Sequence, residues 1–264
     1  METGFVQAGA TRLQCFASGY GPETVVFVHG YTASGRIWRL VQEALDPTRF
    51  RTIALSNRGA GDSDRSPREE DYTVEAFAAD LFGAVHTLGL TDFTLVGHSM
   101  GGATVTQYAL AHQDTLKALV LLDPAPLDAR TRNNPAVGGE RRQEISDLDN
   151  ARAPADFLQA LQADVDRNPP ERLSGGRKSM SHLRLRERLP DLKLPVLVVG
   201  GDRDELVGVD NILREYLALP APLRSLQIFH GVGHSPNKSV PGELAGVLDR
   251  FISETVPRVR TIAL

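Results

Sequence analysis

The chain carries a single cysteine, Cys15, among 264 residues. One thiol cannot close an internal disulfide, so no disulfide scaffold holds this fold and nothing points to an oxidising compartment. Cys15 sits in an apolar, strand-like stretch and reads as a buried structural thiol. Aromatic residues make up only 6% of the chain, which gives no support to an aromatic cage. No apolar run approaches the roughly 18 residues that span a bilayer. The opening Met1-Glu2-Thr3-Gly4-Phe5 lacks the basic and then apolar regions of a secretory signal. A cytoplasmic protein that does not engage membranes is therefore expected. Charge of one sign is also missing: 29 basic and 33 acidic residues leave a net charge of -4. No strongly basic face is implied, which argues against nucleic acid as a partner. There is no internal repeat and no low-complexity tract.

What is present is a globular composition, 41% hydrophobic and 23% charged. A chain of this size buries roughly 70–75% of its unfolded surface, so the core needs no metal. Short β-branched or apolar runs at 24–29, 51–55, 93–97, 118–122, 196–200 and 225–229 alternate with longer helix-period segments. Continuous runs such as Leu119-Val120-Leu121-Leu122 and Val196-Leu197-Val198-Val199 fit strands buried on both faces, the mark of a parallel sheet covered by helices. Residues 5–8 and 11–17, around Gly9-Ala10, predict an antiparallel hairpin at the sheet edge. Helices are predicted over 74–88, 100–111, 209–219 and 241–255; Gly89 and Pro220 supply stops and Pro241 a first turn.

The stretch 125–190 breaks the alternation. Pro126, Asn133-Asn134-Pro135, Gly138-Gly139, Asn168-Pro169-Pro170 and Gly175-Gly176 punctuate it, helical pieces such as 156–165 lie between, and it has no buried-strand run. A structureless loop of that length is uncommon inside a compact domain. The chain thus divides into a first core part over 1–124, a mostly helical insertion over 125–190, and a second core part over 191–264.

The strongest chemical signal is Gly97-His98-Ser99-Met100-Gly101-Gly102, a G-x-S-x-G sequence with a strand before it and a helix directly after. Its glycines leave room for a strained strand-to-helix turn, and the serine lands at a helix N-terminus that favours developing negative charge. A serine hydroxyl needs a general base. Of the seven histidines, His234 lies in a glycine-flanked loop after the last strand. His29 and His98 read as turn residues; His86 and His112 lie in or at the end of helices. His182 lies in the insertion and His230 ends a strand. The base needs an orienting carboxylate. Asp204, in the loop after a buried strand, is preferred; Asp202 reads as fixing its own turn, and Asp123, at the end of the run 118–122, is a third option. The order Ser99, Asp204, His234 suits a strand–turn–helix nucleophile of this kind. The backbone N–H groups of Met100 and Tyr31 are the candidate oxyanion donors. The Tyr31 ring and the only tryptophan, Trp38, are candidates for the substrate pocket, with core packing the competing role for Trp38. Arg184, Arg186 and Arg188 alternate at the end of the insertion, as a solvated face or, if they point inward, a site for a carboxylate.

Taken together, His29-Gly30-Tyr31, Arg58-Gly59-Ala60-Gly61-Asp62-Ser63, the Ser99 hexapeptide, Gly201-Asp202-Arg203-Asp204 and Gly233-His234 resemble the α/β-hydrolase superfamily, and within it the compact, capped serine hydrolases. The resemblance covers almost the whole chain. It implies an eight-stranded, mostly parallel sheet, a helical lid over the triad, and no cofactor. Many relatives carry an aspartate where this chain has Ser56, a position that supports the fold rather than the chemistry. A serine nucleophile argues against the haloalkane dehalogenase and epoxide hydrolase branches, which use a carboxylate.

The function expected is hydrolysis of a small-molecule carboxylic ester or lactone through an acyl-enzyme, by a monomer or homodimer without a metal. Two rivals follow: carbon–carbon hydrolases, a lyase of menaquinone synthesis, or haloperoxidases and perhydrolases with the same triad; and a small-molecule receptor built on the same scaffold. The triad does not separate the enzymes, because the lid sets the substrate.

Overall fold

A computed structural model describes residues 1–129 and 139–257 of the chain. Eight strands form one sheet in the order β1-β2-β4-β3-β5-β6-β7-β8. They are β1 (Glu2–Ala8), β2 (Thr11–Ser18), β3 (Glu23–Val28), β4 (Phe50–Leu55), β5 (Phe93–His98), β6 (Leu116–Leu122), β7 (Val196–Gly201) and β8 (Arg224–Phe229). β1 and β2 form the expected hairpin, β2 joins β4 antiparallel, and every pairing from β4 through β8 is parallel.

The apolar runs become central strands because each has two faces to bury. Val26, Val28, Leu119, Leu121, Val196 and Val198 enter one core cluster, while Val25, Phe27, Val120, Leu122, Leu197 and Val199 enter the other. Helices cover both sides: α1 is Arg39–Ala44, α2 is Val74–Thr87 and α3 is Met100–His112. α2 and α3 pack on the first cluster and α1 on the second. Thr73 starts α2 by accepting a 3.1 Å hydrogen bond from the Ala76 N–H, an N-cap that satisfies one orphan donor of the first turn.

Between β6 and β7 lie α4 (Gly139–Asn150), α5 (Ala155–Asp166) and α6 (Pro170–Met180), with no strand among the described residues there. The breakers Asn133-Asn134-Pro135 and Gly138 fall outside the described residues. After β7 come α7 (Val209–Ala218), the single turn α8 (Pro236–Ser239) and α9 (Pro241–Arg250), which Phe251–Thr255 extends as a π-turn. Pro236 and Pro241 open α8 and α9 in the first turn, where a missing N–H costs nothing. Among the described residues, no helix is long and apolar enough to cross a membrane.

This topology decides where chemistry can occur. β5, β6, β7 and β8 are consecutive neighbours in the sheet, so the loops at their carboxyl ends, after residues 98, 122, 201 and 229, gather along one edge. Open parallel sheets place their sites there.

Candidate active site

Ser99 links β5 to α3 with φ 54° and ψ −120°. A non-glycine residue at positive φ is uncommon and costs on the order of 1–3 kcal/mol. The turn is held by bonds on both sides: the Ser99 N–H donates to Leu122 O at 3.0 Å, and Ser99 O accepts from the N–H groups of Gly102 and Ala125 at 2.9 and 3.0 Å. The flanking glycines are obligatory. A Cβ on Gly97 would lie 2.4 Å from Gly101 O, and one on Gly101 would lie 2.6 Å from the carbonyl oxygens of both Val28 and His29. Gly30 approaches in the same way, with room for a Cβ only 3.0 Å from Ser99 Cβ. The loop after β3 is thereby pressed against the serine. Met100 N–H belongs to the first turn of α3, whose amides have no partner within the helix.

His234 follows β8, and its Nδ1 donates to Asp204 Oδ2 at 2.8 Å. The other oxygen, Oδ1, accepts from the N–H groups of Leu206 and Val207 at 2.9 and 3.0 Å, so the carboxylate is fixed by its own loop. With Nδ1 carrying the proton, Nε2 is the basic nitrogen. Burial alone would depress the His234 imidazole; the charge and hydrogen bond of Asp204, with Asp149 adding to them, lift it above its ordinary value. Burial pulls Asp204 the other way, yet His234 and the Val207 N–H hold its carboxyl below the usual range. Of the candidate acids, Asp204 therefore meets the histidine. Asp202 instead holds the neighbouring loop, accepting from the Gly231 N–H at 2.7 Å and from exposed His230 at 2.6 Å.

His98, beside Ser99, is fully buried; its Nε2 donates to His234 O at 2.8 Å, and the two rings are 4.9 Å apart. Burial, then proximity to His234, pushes its pKa down to about 3, so it is a neutral brace for the His234 loop. His29 is likewise neutral, held at about 3 by burial and then by Arg172; its Nδ1 donates to Gly30 O at 2.7 Å and its Nε2 accepts from the Asn57 N–H at 3.0 Å. Ser56, which stands where many relatives carry aspartate, accepts from the Gly35 N–H at 3.0 Å and ties β4 to the turn after the Tyr31 loop.

One sequence expectation needs correction. Trp38 is fully buried, stacked on Phe27 at 4.6 Å between ring centres, with His98 against its edge. It is core on the α1 side of the sheet and offers no surface to a substrate. The arginine row is largely the solvated face expected: Arg184, facing Asp128, and Arg188, paired with Asp191, are exposed, while Arg186 turns inward and grips buried Glu215 of α7 with contacts of 2.7 and 3.0 Å. The Tyr31 ring packs under α6, against Met100, and its hydroxyl donates to Leu173 O.

Two groups escaped the sequence reading, and a third, Asp123, it named only as an alternative acid. Arg172 of α6 is buried and donates from Nη1 to Tyr31 O at 2.6 Å and to Asn168 Oδ1, while its Nε and Nη2 have no partner among the described residues; burial lowers its pKa to about 10. Asp149 of α4 lies against Gly233, and burial raises its carboxyl against the pull of Lys238 and His234. Asp123 is buried beside Asp204. No motif marks Arg172 or Asp149, since neither is near the other groups in sequence. Asp123, Asp204 and His234 each present one potential metal-ligand atom within 4.8 Å of the others. Their arrangement is that of an acid–histidine pair, because Nδ1 of His234, the nitrogen nearest Asp204, carries the proton that a metal would have to displace.

This is the geometry of a nucleophile elbow with a histidine and its acid at adjacent strand ends. The alpha/beta hydrolase fold family matches residues 23–156, and the chain belongs to that family. It is 29% identical over 243 residues to the non-heme chloroperoxidase CPO-A1 of Kitasatospora aureofaciens, covering 83% of this chain and 87% of that one. It is 34% identical over 158 residues to the lipase LipV of Mycobacterium tuberculosis, covering 57% and 54% of the two chains. An esterase structure from Thermogutta terrifontis superposes with a TM-score of 0.80 at 23% identity over 97% of this chain and 99% of that one.

Proposed function

We propose that the protein is a serine hydrolase that cleaves a small-molecule carboxylic ester, or its cyclic form, a lactone, through an acyl-enzyme. The observation that carries this reading is the buried 2.8 Å bond between His234 and Asp204, after β8 and β7, on the same sheet edge as a serine in strained backbone at the head of a helix. Ser99 Oγ attacks the carbonyl carbon while His234 Nε2 accepts its proton. The N–H groups of Met100 and Tyr31 hold the oxyanion. As the tetrahedral intermediate collapses, His234 returns the proton to the leaving alkoxide. Water, deprotonated by the same nitrogen, then attacks the acyl group and frees Ser99. The helices between β6 and β7 act as the lid: α6 reaches Tyr31 through Arg172 and Leu173, and α4 reaches the His234 loop through Asp149.

Pre-steady-state release of p-nitrophenol from acetyl, butyryl and octanoyl p-nitrophenyl esters tests this, with Ser99→Ala as control. A Ser99-dependent burst followed by turnover supports it, and the preferred chain length sizes the pocket. Equal turnover by Ser99→Ala would sink the assignment. The likeness to a chloroperoxidase over most of the chain favours one second reading, perhydrolysis. In that case hydrogen peroxide replaces water in the deacylation step, and peracid forms from a carboxylic acid and peroxide in a Ser99-dependent way.

A further inference from the structure

We propose that Asp123 is a neutral carboxylic acid whose proton bridges to Asp204, making it a positioning residue for the acid of the triad. The proposal rests on the reading of Ser99, Asp204 and His234 as a triad, and deepens it.

Asp123 directly follows β6 at φ 38°, a left-handed conformation that aspartate adopts at a cost, and its side chain turns toward the neighbouring strand end. Its backbone N–H donates to Val199 O at 2.8 Å, and its Oδ1 accepts from the Gly201 N–H at 3.0 Å. These bonds lock it to β7, the strand that carries Asp204. The residue is completely buried. Its second oxygen, Oδ2, has no donor to accept from among the described residues, and the carboxyl sits in hydrogen-bonding reach of Asp204, in a cluster where Asp123, Asp204 and His234 each bring an atom within 4.8 Å of the others.

The groups facing Asp123 make an ionised form untenable. Asp204 presents a carboxylate, and Asp149 of α4 adds further negative charge. His234, the cation that could offset them, gives its Nδ1 to Asp204, and Lys238 of α8 is directed to Asn150 and Asp149. Two buried carboxylates in contact do not both ionise. Asp204 is the one that stays charged, since it accepts from two backbone N–H groups and from His234. Burial and then the charge of Asp204 push the Asp123 carboxyl well up. A proton on Asp123 turns the Oδ2 contact from repulsion between acceptors into a donated hydrogen bond. Asp204 is thereby held by four donors, and its charge is kept available to His234.

The test compares Asp123→Asn and Asp123→Leu with the unmodified protein. Asn donates from Nδ2 and accepts at Oδ1, and so reproduces a neutral acid. The infrared difference spectrum at neutral pH, unmodified protein minus Asp123→Asn, is expected to show the carbonyl stretch of a protonated carboxyl. That readout needs no substrate, so it stands even if ester cleavage proves to be the wrong reaction. With an ester substrate, Asp123→Asn is expected to keep kcat/KM and its acidic limb unmoved. Asp123→Leu, which leaves an acceptor of Asp204 unsatisfied, is expected to lose on the order of tenfold. An ionised Asp123 predicts the reverse: only carboxylate bands, and an acidic limb moved to lower pH by about one unit in Asp123→Asn, because a negative charge near His234 is gone. Either result overturns the proposal. So does an Asp204→Asn variant that stays active while Asp123→Asn does not, which would make Asp123 the triad acid.

Discussion

His234 is raised above the ordinary imidazole value of 6.5 by Asp204. A base that holds its proton to higher pH is inactive to higher pH, so the acidic limb of kcat/KM should have its midpoint above 6.5. Asp204→Asn removes the upward pull and leaves burial, so the midpoint should move below that of the unmodified protein. It also destabilises the tautomer that frees Nε2, and kcat should fall about 10³–10⁴-fold. A pH–rate profile of both proteins checks the sign as well as the size. At the elbow, Gly101→Ala sets a Cβ against two backbone carbonyls that have no room to move. Overpacking of this kind costs about 1–3 kcal/mol, and here it also displaces Ser99 from the Gly30 loop. Thermal unfolding should show a lower Tm, and acylation a lower rate.

At the scale of elements, the sheet was legible because its central strands are short, nearly continuous apolar or β-branched runs, a pattern that suits a doubly covered strand. The hairpin around Gly9-Ala10 and the helices capped by Thr73 and Pro241 were readable for similarly local reasons. The elbow, Asp204 and His234 were readable because their loops follow such strands. What could not be read were contacts between segments distant in sequence. Trp38 differs from a pocket residue only in what packs on it, here Phe27 from another element. Arg186 looks like its neighbours Arg184 and Arg188 until α7 brings Glu215 to it. Arg172 lies 141 positions from the Tyr31 carbonyl it holds. That clamp yields an expectation for α6. Arg172→Met keeps the buried stem and removes the donor to the Tyr31 carbonyl, and should lower kcat on the order of 10–100-fold. Stability should change little, since a buried guanidinium with two unpartnered nitrogens is costly to keep. Stopped-flow acylation rates and a melting curve separate the two effects.

Across the whole molecule, the segment between β6 and β7 is tied to the second core part through Glu215, which accepts from Arg186 and from the Leu127 N–H at 3.0 Å. Glu215→Ala strands a largely buried arginine, a loss of about 3–5 kcal/mol and a Tm lower by roughly 10 °C in calorimetry. The strand order carries one more consequence, for folding rather than for chemistry. Ser99 is in place once β3, β5 and β6 have paired, but Asp204 and His234 arrive only when β7 and β8 add to the edge of the sheet. Parallel pairings between distant segments form late and slowly. A refolding chain should therefore regain secondary structure before activity, and the lag between them times the docking of that edge.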